Sequence, residues 1–299
     1  MPDSECRKLK MTCRTPDEIE LEKPLEDEIG MEVEALVLKR GQGLGHFLRY
    51  IDEGTHGTFS FFVMQLAGPS LSDLQKKCHR KRFSNDTTTR LAVQCLEATE
   101  NIHIVGFLHR DIKPSNFLAG APGSVDAHTV YILDFGLVRR YRTKDGQVRN
   151  KRESTGFRGS YQYCSIKAHK CEDLGRRDDL WSLLYSLIQM RVGKLPWRKL
   201  LHSDEIREFK EKTSREDLLI HMEPEYVPFY DHVANLRYSQ RPDYEFLRAQ
   251  IERIWCRKNY NHQTPFDWER GERFIISSML TRLIKIFCRL HRTVHETSI

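Results

Sequence analysis

The chain has 299 residues, of which 39% are hydrophobic and 30% are charged, and this composition is typical of a globular protein. The length is sufficient for one large domain or two closely packed lobes. The net charge of +6 is unevenly placed, because seven basic residues and one acid lie between Arg139 and Arg152. Such a segment favours acidic or phosphorylated partners, although a solvated loop explains it as well.

The cysteines and the hydropathy indicate the compartment. The eight cysteines include no Cys-x-x-Cys pair. The amino terminus is too polar for a secretory signal, and no apolar run reaches the ~18 residues of a membrane span. We therefore predict reduced thiols and a cytosolic or nuclear protein without a membrane segment.

The first part of the chain is predicted to be small and strand-bearing. Residues 1–25 are charged and aperiodic, which predicts a polar tail. Two segments rich in aromatic and β-branched residues, 46–54 and 57–68, predict two strands joined by a turn at Gly54–Gly57. A helix is predicted before them, within residues 27–40, from the helical spacing of the apolar residues Ile29, Val33, Leu36 and Val37.

The rest of the chain is predicted to be mainly helical. A short strand is expected within residues 129–136. Asp86 or Thr87 is the predicted cap of a long helix over residues 87–106. Together with the strands upstream, this order predicts an α+β fold. The other predicted helices cover residues 71–78, 178–193, 203–213, 225–237 and 243–255, and an amphipathic helix within 270–299 carries Ile276, Leu280, Leu283, Ile284 and Phe287.

Two motifs, HRDIKPSN at residues 109–116 and DFG at residues 134–136, suggest phosphoryl-transfer chemistry. That chemistry requires in-line positioning and the neutralisation of charge on the transferred group. Asp111 can accept or orient a substrate hydroxyl, and Lys113 can reach the γ-phosphate. Asn116 and Asp134 offer oxygen ligands suited to Mg²⁺. Each residue alone is typical of a turn, but their joint spacing favours a catalytic site.

The sequence resembles the eukaryotic protein kinase family, and more closely its casein kinase 1 group. The segment GFRGSYQYCSIKAH, residues 156–169, is similar to the end of that group's activation segment, although Lys167 departs from the Ser-Ile-Asn pattern. Residues 175–198 and PFDWE at 265–269 are similar to the tau-tubulin kinase branch. The resemblance implies a two-lobed fold in residues 26–269, with a small, incomplete N-lobe at about 26–66 and a large helical C-lobe at about 70–269.

The resemblance also implies an activity and its partners. A kinase of this group transfers the γ-phosphate of ATP, with Mg²⁺, to serine or threonine hydroxyls of a protein substrate. We expect that substrate to be acidic or phosphorylated, and the chain to be a monomer. A basic rim along the activation segment is expected from Arg139, Arg140, Arg142, Lys151, Arg152, Arg176 and Arg177.

Further site residues are implied by the same alignment. Met64 is the expected gatekeeper and Leu118 the floor of the adenine site, although core packing explains both equally well. Asp179 is the expected buried anchor of the catalytic loop. The remaining residues are Gln65, Leu66 and Ala67 at the hinge, Glu32 as the helix glutamate, His109 and Arg110 in the anchored loop, and Arg158, Gly159, Ser160 and Arg176 in the substrate-binding segment.

One part of the family pattern is not matched. The glycines of RGQGLGHF, residues 40–47, follow the helix that carries Glu32, whereas a phosphate-binding turn should precede it. Lys8 and Lys10 are the candidates for the strand lysine. Two functions therefore stay open, an active kinase and a catalytically impaired protein-binding module. Nucleic-acid binding is not favoured, because the basic segment lacks interleaved aromatic residues.

Overall fold

A computed structural model describes residues 31–57, 59–261 and 264–270 of the chain. The predicted polar tail, Lys8, Lys10 and all of the predicted carboxyl-terminal helix except Arg270 lie outside these residues. In the described ranges, no helix has the length and apolar character needed to cross a membrane.

Within residues 31–57 and 59–66, the small lobe consists of one helix and two strands. Helix α1 covers Met31–Arg40, and strands β1 (Tyr50–His56) and β2 (Phe59–Met64) pair in antiparallel fashion. β1 begins later than predicted, because Gln42 holds the preceding turn: its Nε2 donates to the carbonyls of Leu38 at 2.8 Å and Leu48 at 3.0 Å. The glycines of this turn thus connect helix and strand, as predicted.

The large lobe is mainly helical, and every long helix predicted within the described residues is confirmed. The described helices of this lobe are α2 (Leu71–Lys77), α3 (Asn85–Ile104), α4 (Ile166–His169), α5 (Arg176–Val192), α6 (Ser203–Lys212), α7 (Arg215–Leu219), α8 (Tyr226–Asn235), α9 (Tyr244–Lys258) and α10 (Asp267–Arg270). The described strands are β3 (Phe107–Leu108), β4 (Phe117–Ala119), β5 (Val130–Ile132) and β6 (Arg139–Arg140). Short strands line the loops between the helices, and three of these strands and three short helices, α4, α7 and α10, were not predicted.

The centre of the large lobe is formed by α3, which packs against α5 and α9. α5 is buried on nearly all sides, which explains why its sequence is apolar around the helix. Leu96, Leu183 and Ile251 are almost completely buried here, and each such side chain contributes about 1.5–3 kcal/mol when it leaves water. The arrangement confirms the predicted α+β class, with a small strand-bearing lobe and a large helical lobe.

The cap of α3 differs from the prediction. Ser84, and neither Asp86 nor Thr87, precedes the helix, and its Oγ accepts a hydrogen bond from the backbone N–H of Thr87 at 3.2 Å. Asp86 and Thr87 are buried within the first turn. The Oγ1 of Thr87 accepts from the backbone N–H of Asp267 at 3.1 Å, so this turn holds the end of the described chain.

Candidate active site

The two sequence motifs lie side by side because the strands next to them pair. The catalytic loop, residues 109–116, runs from β3 to β4, and β4 pairs with β5 so that Phe117 lies opposite Ile132. The next backbone hydrogen bond continues this ladder, since the N–H of Leu133 donates to the carbonyl of Asn116 at 2.9 Å. Asn116 therefore lies next to the segment that carries Asp134.

Asp179, in the first turn of α5, anchors the catalytic loop. Its carboxylate accepts hydrogen bonds from the backbone N–H groups of His109 at 2.7 Å and Arg110 at 2.8 Å, and from Nε2 of His103 at 2.9 Å. Burial alone would raise the pKa of Asp179, but the hydrogen bonds from His103 and His109 hold it below its usual value. Arg110 has a φ of +65°, a strained conformation that these contacts maintain.

Asp111 combines a paired and an unpaired carboxylate oxygen. The side chain is buried, and its Oδ2 accepts from Nζ of Lys113 at 2.5 Å. Its Oδ1 is buried without a hydrogen-bond partner. Because an unpaired buried acceptor costs free energy, such an atom calls for an explanation. A substrate hydroxyl that donates to Oδ1 would supply it.

The activation segment contacts the catalytic loop through Gly159 and Ser160. Nζ of Lys113 donates to Oγ of Ser160 at 3.1 Å. Gly159 has a φ of +105°, and a Cβ at this position would lie 2.5 Å from the carbonyl oxygen of Arg110. Only glycine allows this close approach, which brings Ser160 next to Lys113 and Asp111.

Asn116 and Asp134 have the properties of Mg²⁺ ligands. Nδ2 of Asn116 donates to the carbonyl of Asp111 at 2.9 Å, and this bond fixes the amide. Asp134 is exposed in a left-handed conformation while the next residue, Phe135, is buried between Phe47 and His109 at ring distances of 5.8 and 5.9 Å. Mg²⁺ usually takes one or two such oxygen ligands together with phosphates and water, and the two side chains fit that role.

A model of the protein kinase domain matches residues 16–285. The chain belongs to the protein kinase family. Members of this family generally use ATP and a divalent metal ion.

Two curated kinases illustrate the similarity. A probable serine/threonine-protein kinase of Dictyostelium discoideum is 42% identical over 239 residues, which cover 80% of this chain and 48% of that protein. A protein of Caenorhabditis elegans with a provisional serine/threonine-protein kinase name is 35% identical over 242 residues, which cover 80% of this chain and 69% of that protein. The chain thus spans about half the length of the Dictyostelium relative.

The residues predicted to bind adenine in this kinase lie together where the two lobes meet. Met64 ends β2 and packs against the core, and Leu66 is 41% exposed. Leu118 is half-buried in β4. The intervening chain is tied to β4, because the N–H of Gly68 donates to the carbonyl of Ala119 at 2.8 Å.

Gln65 links the hinge of the kinase to a loop of the large lobe. Its backbone N–H donates to the carbonyl of Arg49 at 2.8 Å, and its Nε2 donates to Oδ2 of Asp126 at 2.7 Å. The hydrogen bond of Gln65 to Asp126 joins residues 61 positions apart and was not predicted.

The two glutamates in the first turn of α1 differ in position. Glu32 is exposed, whereas Glu34 is half-buried on the helix face that carries Val37 and Leu38, both buried. α1 as a whole lies against the turn that follows Asp134. The helical spacing of the sequence contained this distinction, since Glu34 lies three and four residues before two apolar positions.

The predicted basic rim is corrected at two arginines. Arg176 is only 6% exposed, because its guanidinium lies 5.0 Å from the ring centre of Tyr141 and donates to the carbonyl of Ser239 at 2.8 Å. Arg177 donates to the carbonyl of Leu236 at 2.6 Å. These two arginines link the start of α5 to the segment after α8, and Arg176 does not belong to an exposed substrate surface.

Asp173 is a residue that sequence reasoning missed. Its side chain is 1% exposed and forms ion pairs with Arg139 and, at 3.1 Å, with Arg152. The hydroxyl of Tyr238 donates to the same carboxylate at 3.1 Å. Asp173 therefore neutralises part of the basic segment, whereas Arg158 is exposed beside Gly159.

Proposed function

We propose that this chain is a serine/threonine protein kinase of the casein kinase 1 type, similar to the tau-tubulin kinase branch, that uses ATP with Mg²⁺. The observation that carries the proposal is the unpaired, buried Oδ1 of Asp111, which lies in a loop that also presents Lys113 and Asn116. The kinase names of both relatives support the same reaction class and do not favour the impaired binding module.

Some side chains of the site position the substrate hydroxyl, and others serve to neutralise charge on the phosphates. Oδ1 of Asp111 accepts the proton of the substrate hydroxyl or orients it, and Lys113 holds Oδ2 so that the carboxylate cannot turn. Asn116 and Asp134 would hold Mg²⁺, which would neutralise charge on the phosphates. In protein kinases, a lysine on a strand of the small lobe forms an ion pair with a glutamate of the helix that corresponds to α1. We assign that glutamate to Glu34 in place of Glu32, because Glu34 lies on the half-buried face of α1.

The preference for acidic or phosphorylated substrates rests on the arginines near the catalytic loop. Burial and the nearby cations, first Arg139 and then Arg152 and Arg158, lower the pKa of Arg110 to about 10. An anion bound among these arginines would relieve their mutual repulsion. Asp173 offsets part of this charge, so we assign the exposed part of the anion surface to Arg158.

Two further proposals concern the state of the protein. We propose a monomer, as the resemblance implies. We also propose that it acts in the cytosol or the nucleus. Five cysteines in the described part of the chain are free thiols, which suits a reducing compartment: Cys78, Cys95, Cys164, Cys171 and Cys256.

The test of the proposed function is the variant Asp111→Asn, with Asp145→Asn as the matched control in an exposed loop. Transfer of phosphate to a serine-containing peptide should fall by about 10²–10⁴-fold in kcat for D111N, the usual contribution of a catalytic base. The stabilisation of the protein by ATP and Mg²⁺ in a melting assay should persist, and D145N should behave as the wild type. Equal phosphate transfer by D111N and the wild type would refute the proposal.

A further inference from the structure

Lys210 of α6 is a buried cation that the proposed reaction does not use. Its side chain is 5% exposed, and its Nζ donates to the carbonyls of Tyr161 at 2.8 Å and Cys164 at 2.7 Å. Nε2 of His169 lies 3.2 Å away and can accept the third hydrogen bond. In the described part of the chain, no carboxylate pairs with this ammonium group, and burial lowers its pKa to about 8.

The surroundings of Lys210 are otherwise aromatic. Its Nζ lies 5.0 Å from the ring centres of both Tyr185 and Trp197. Removal of a cation from water is costly unless every N–H group finds an acceptor. An apolar side chain of similar length would fill the same space without that cost. The benefit of the lysine must therefore lie in the two carbonyls that it holds.

Those carbonyls belong to a tight turn formed by residues 160–164. The N–H groups of Tyr163 and Cys164 both donate to the carbonyl of Ser160, at 2.9 and 3.0 Å. Nε1 of Trp197 donates to the carbonyl of Gln162 at 2.8 Å, so a second side chain holds the same turn. The turn begins at Ser160, whose Oγ accepts from Lys113. A change in the turn would reach the catalytic loop through that contact.

We propose that Lys210 is a positioning residue for the peptide substrate: its ammonium group fixes the 160–164 turn in the conformation that binds the peptide beside Asp111. Lys210 contacts this turn and none of the residues assigned to nucleotide binding. Its substitution should therefore weaken peptide binding and leave ATP binding unchanged. The inference rests on the proposed kinase function for its kinetic test but not for its structural one.

The experiment compares Lys210→Met with Lys212→Met, a control on the same helix whose side chain is 77% exposed. The loss of two hydrogen bonds from a charged donor should raise the KM for a peptide substrate about tenfold or more. The KM for ATP should stay unchanged, and K212M should match the wild type. Hydrogen exchange at the amides of Tyr163 and Cys164 should become faster in K210M and stay unchanged in K212M.

Trp197→Phe provides an independent variant, because it removes the Nε1–H donor to the same turn. It should raise the peptide KM and speed exchange in the same direction as K210M. A folded K210M with wild-type peptide KM and exchange overturns the inference. If K210M does not fold, W197F decides by the same two measurements. If the wild type transfers no phosphate, the proposed function fails, and exchange at Tyr163 and Cys164 alone decides whether Lys210 positions the turn.

Discussion

At the scale of single residues, the Asp179 carboxylate joins three parts of the large lobe through three donors. In Asp179→Ala, the backbone N–H groups of His109 and Arg110 and the ring of His103 lose their acceptor. Each unpaired buried donor costs about 1–3 kcal/mol, and the strained Arg110 loses the contact that maintains it. We expect a lower melting temperature and a lower kcat, measured by calorimetry and peptide phosphorylation.

The control for this prediction is Asp204→Ala, which removes a carboxylate that is 82% exposed and pairs only weakly with its neighbour. Its melting temperature should stay close to that of the wild type. An unchanged melting temperature in D179A would show that the anchor does not support the fold. Wild-type kcat together with a reduced melting temperature would limit Asp179 to a structural role.

At the scale of elements, the activation segment approaches the catalytic loop at Gly159. In Gly159→Ala, the added Cβ would lie 2.5 Å from the carbonyl of Arg110, at a φ of +105° that alanine rarely adopts. The two segments must move apart, and a shift of about 1 Å near the reacting atoms costs about a hundredfold in rate. We expect a large loss of kcat in the peptide assay with a much smaller change in melting temperature.

Gly156 of the same segment provides the matched control. A Cβ there meets only the flexible end of Arg158, at 3.4 Å. Gly156→Ala should therefore keep most of the activity. Similar losses in the two variants would mean that the segment needs glycine for flexibility and not for the close approach at Gly159.

The long elements could be predicted from the sequence, whereas the short ones and the distant contacts could not. α3 and α5 carry apolar residues over several helical turns. A pattern of this length identifies a helix even where single positions depart from it. β3 has two residues and forms only because β6 lies beside it, which no local pattern encodes. Its pairing nevertheless helps to position both motifs.

In the candidate site, too, local features could be predicted from the sequence and contacts between distant residues could not. The motif spacing places Asp111, Lys113 and Asn116 correctly on one loop, because their relative position is local. Asp173 escaped prediction since its partners lie 21 and 34 residues away in the sequence. The cap at Ser84 lies two residues before Asp86 and three before Thr87, a small error of the kind that is common at helix ends.

At the scale of the whole molecule, side chains from the small lobe hold the large lobe near the active site. Nδ1 of His46 lies 2.7 Å from the carbonyl of Val130 in β5, and its Nε2 lies 3.2 Å from Glu97 of α3. Together with the bond from Gln65 to Asp126, these contacts place the hinge and β4 in a fixed relation. The small lobe is therefore held against β5, α3 and the loop that joins β4 to β5.

The uneven charge of the whole molecule leads to a prediction about salt. The net charge is +6, and Arg139, Arg152 and Arg158 lie close enough to Arg110 to lower its pKa. An acidic peptide should have a lower KM than a neutral peptide of the same length at low ionic strength. The difference should shrink as salt is added, because the screening length falls from about 10 Å at 0.1 M to about 3 Å at 1 M. The kcat values should change little, and Arg158→Gln should remove part of the difference. Equal KM values for both peptides at low salt would mean that these arginines serve the fold alone.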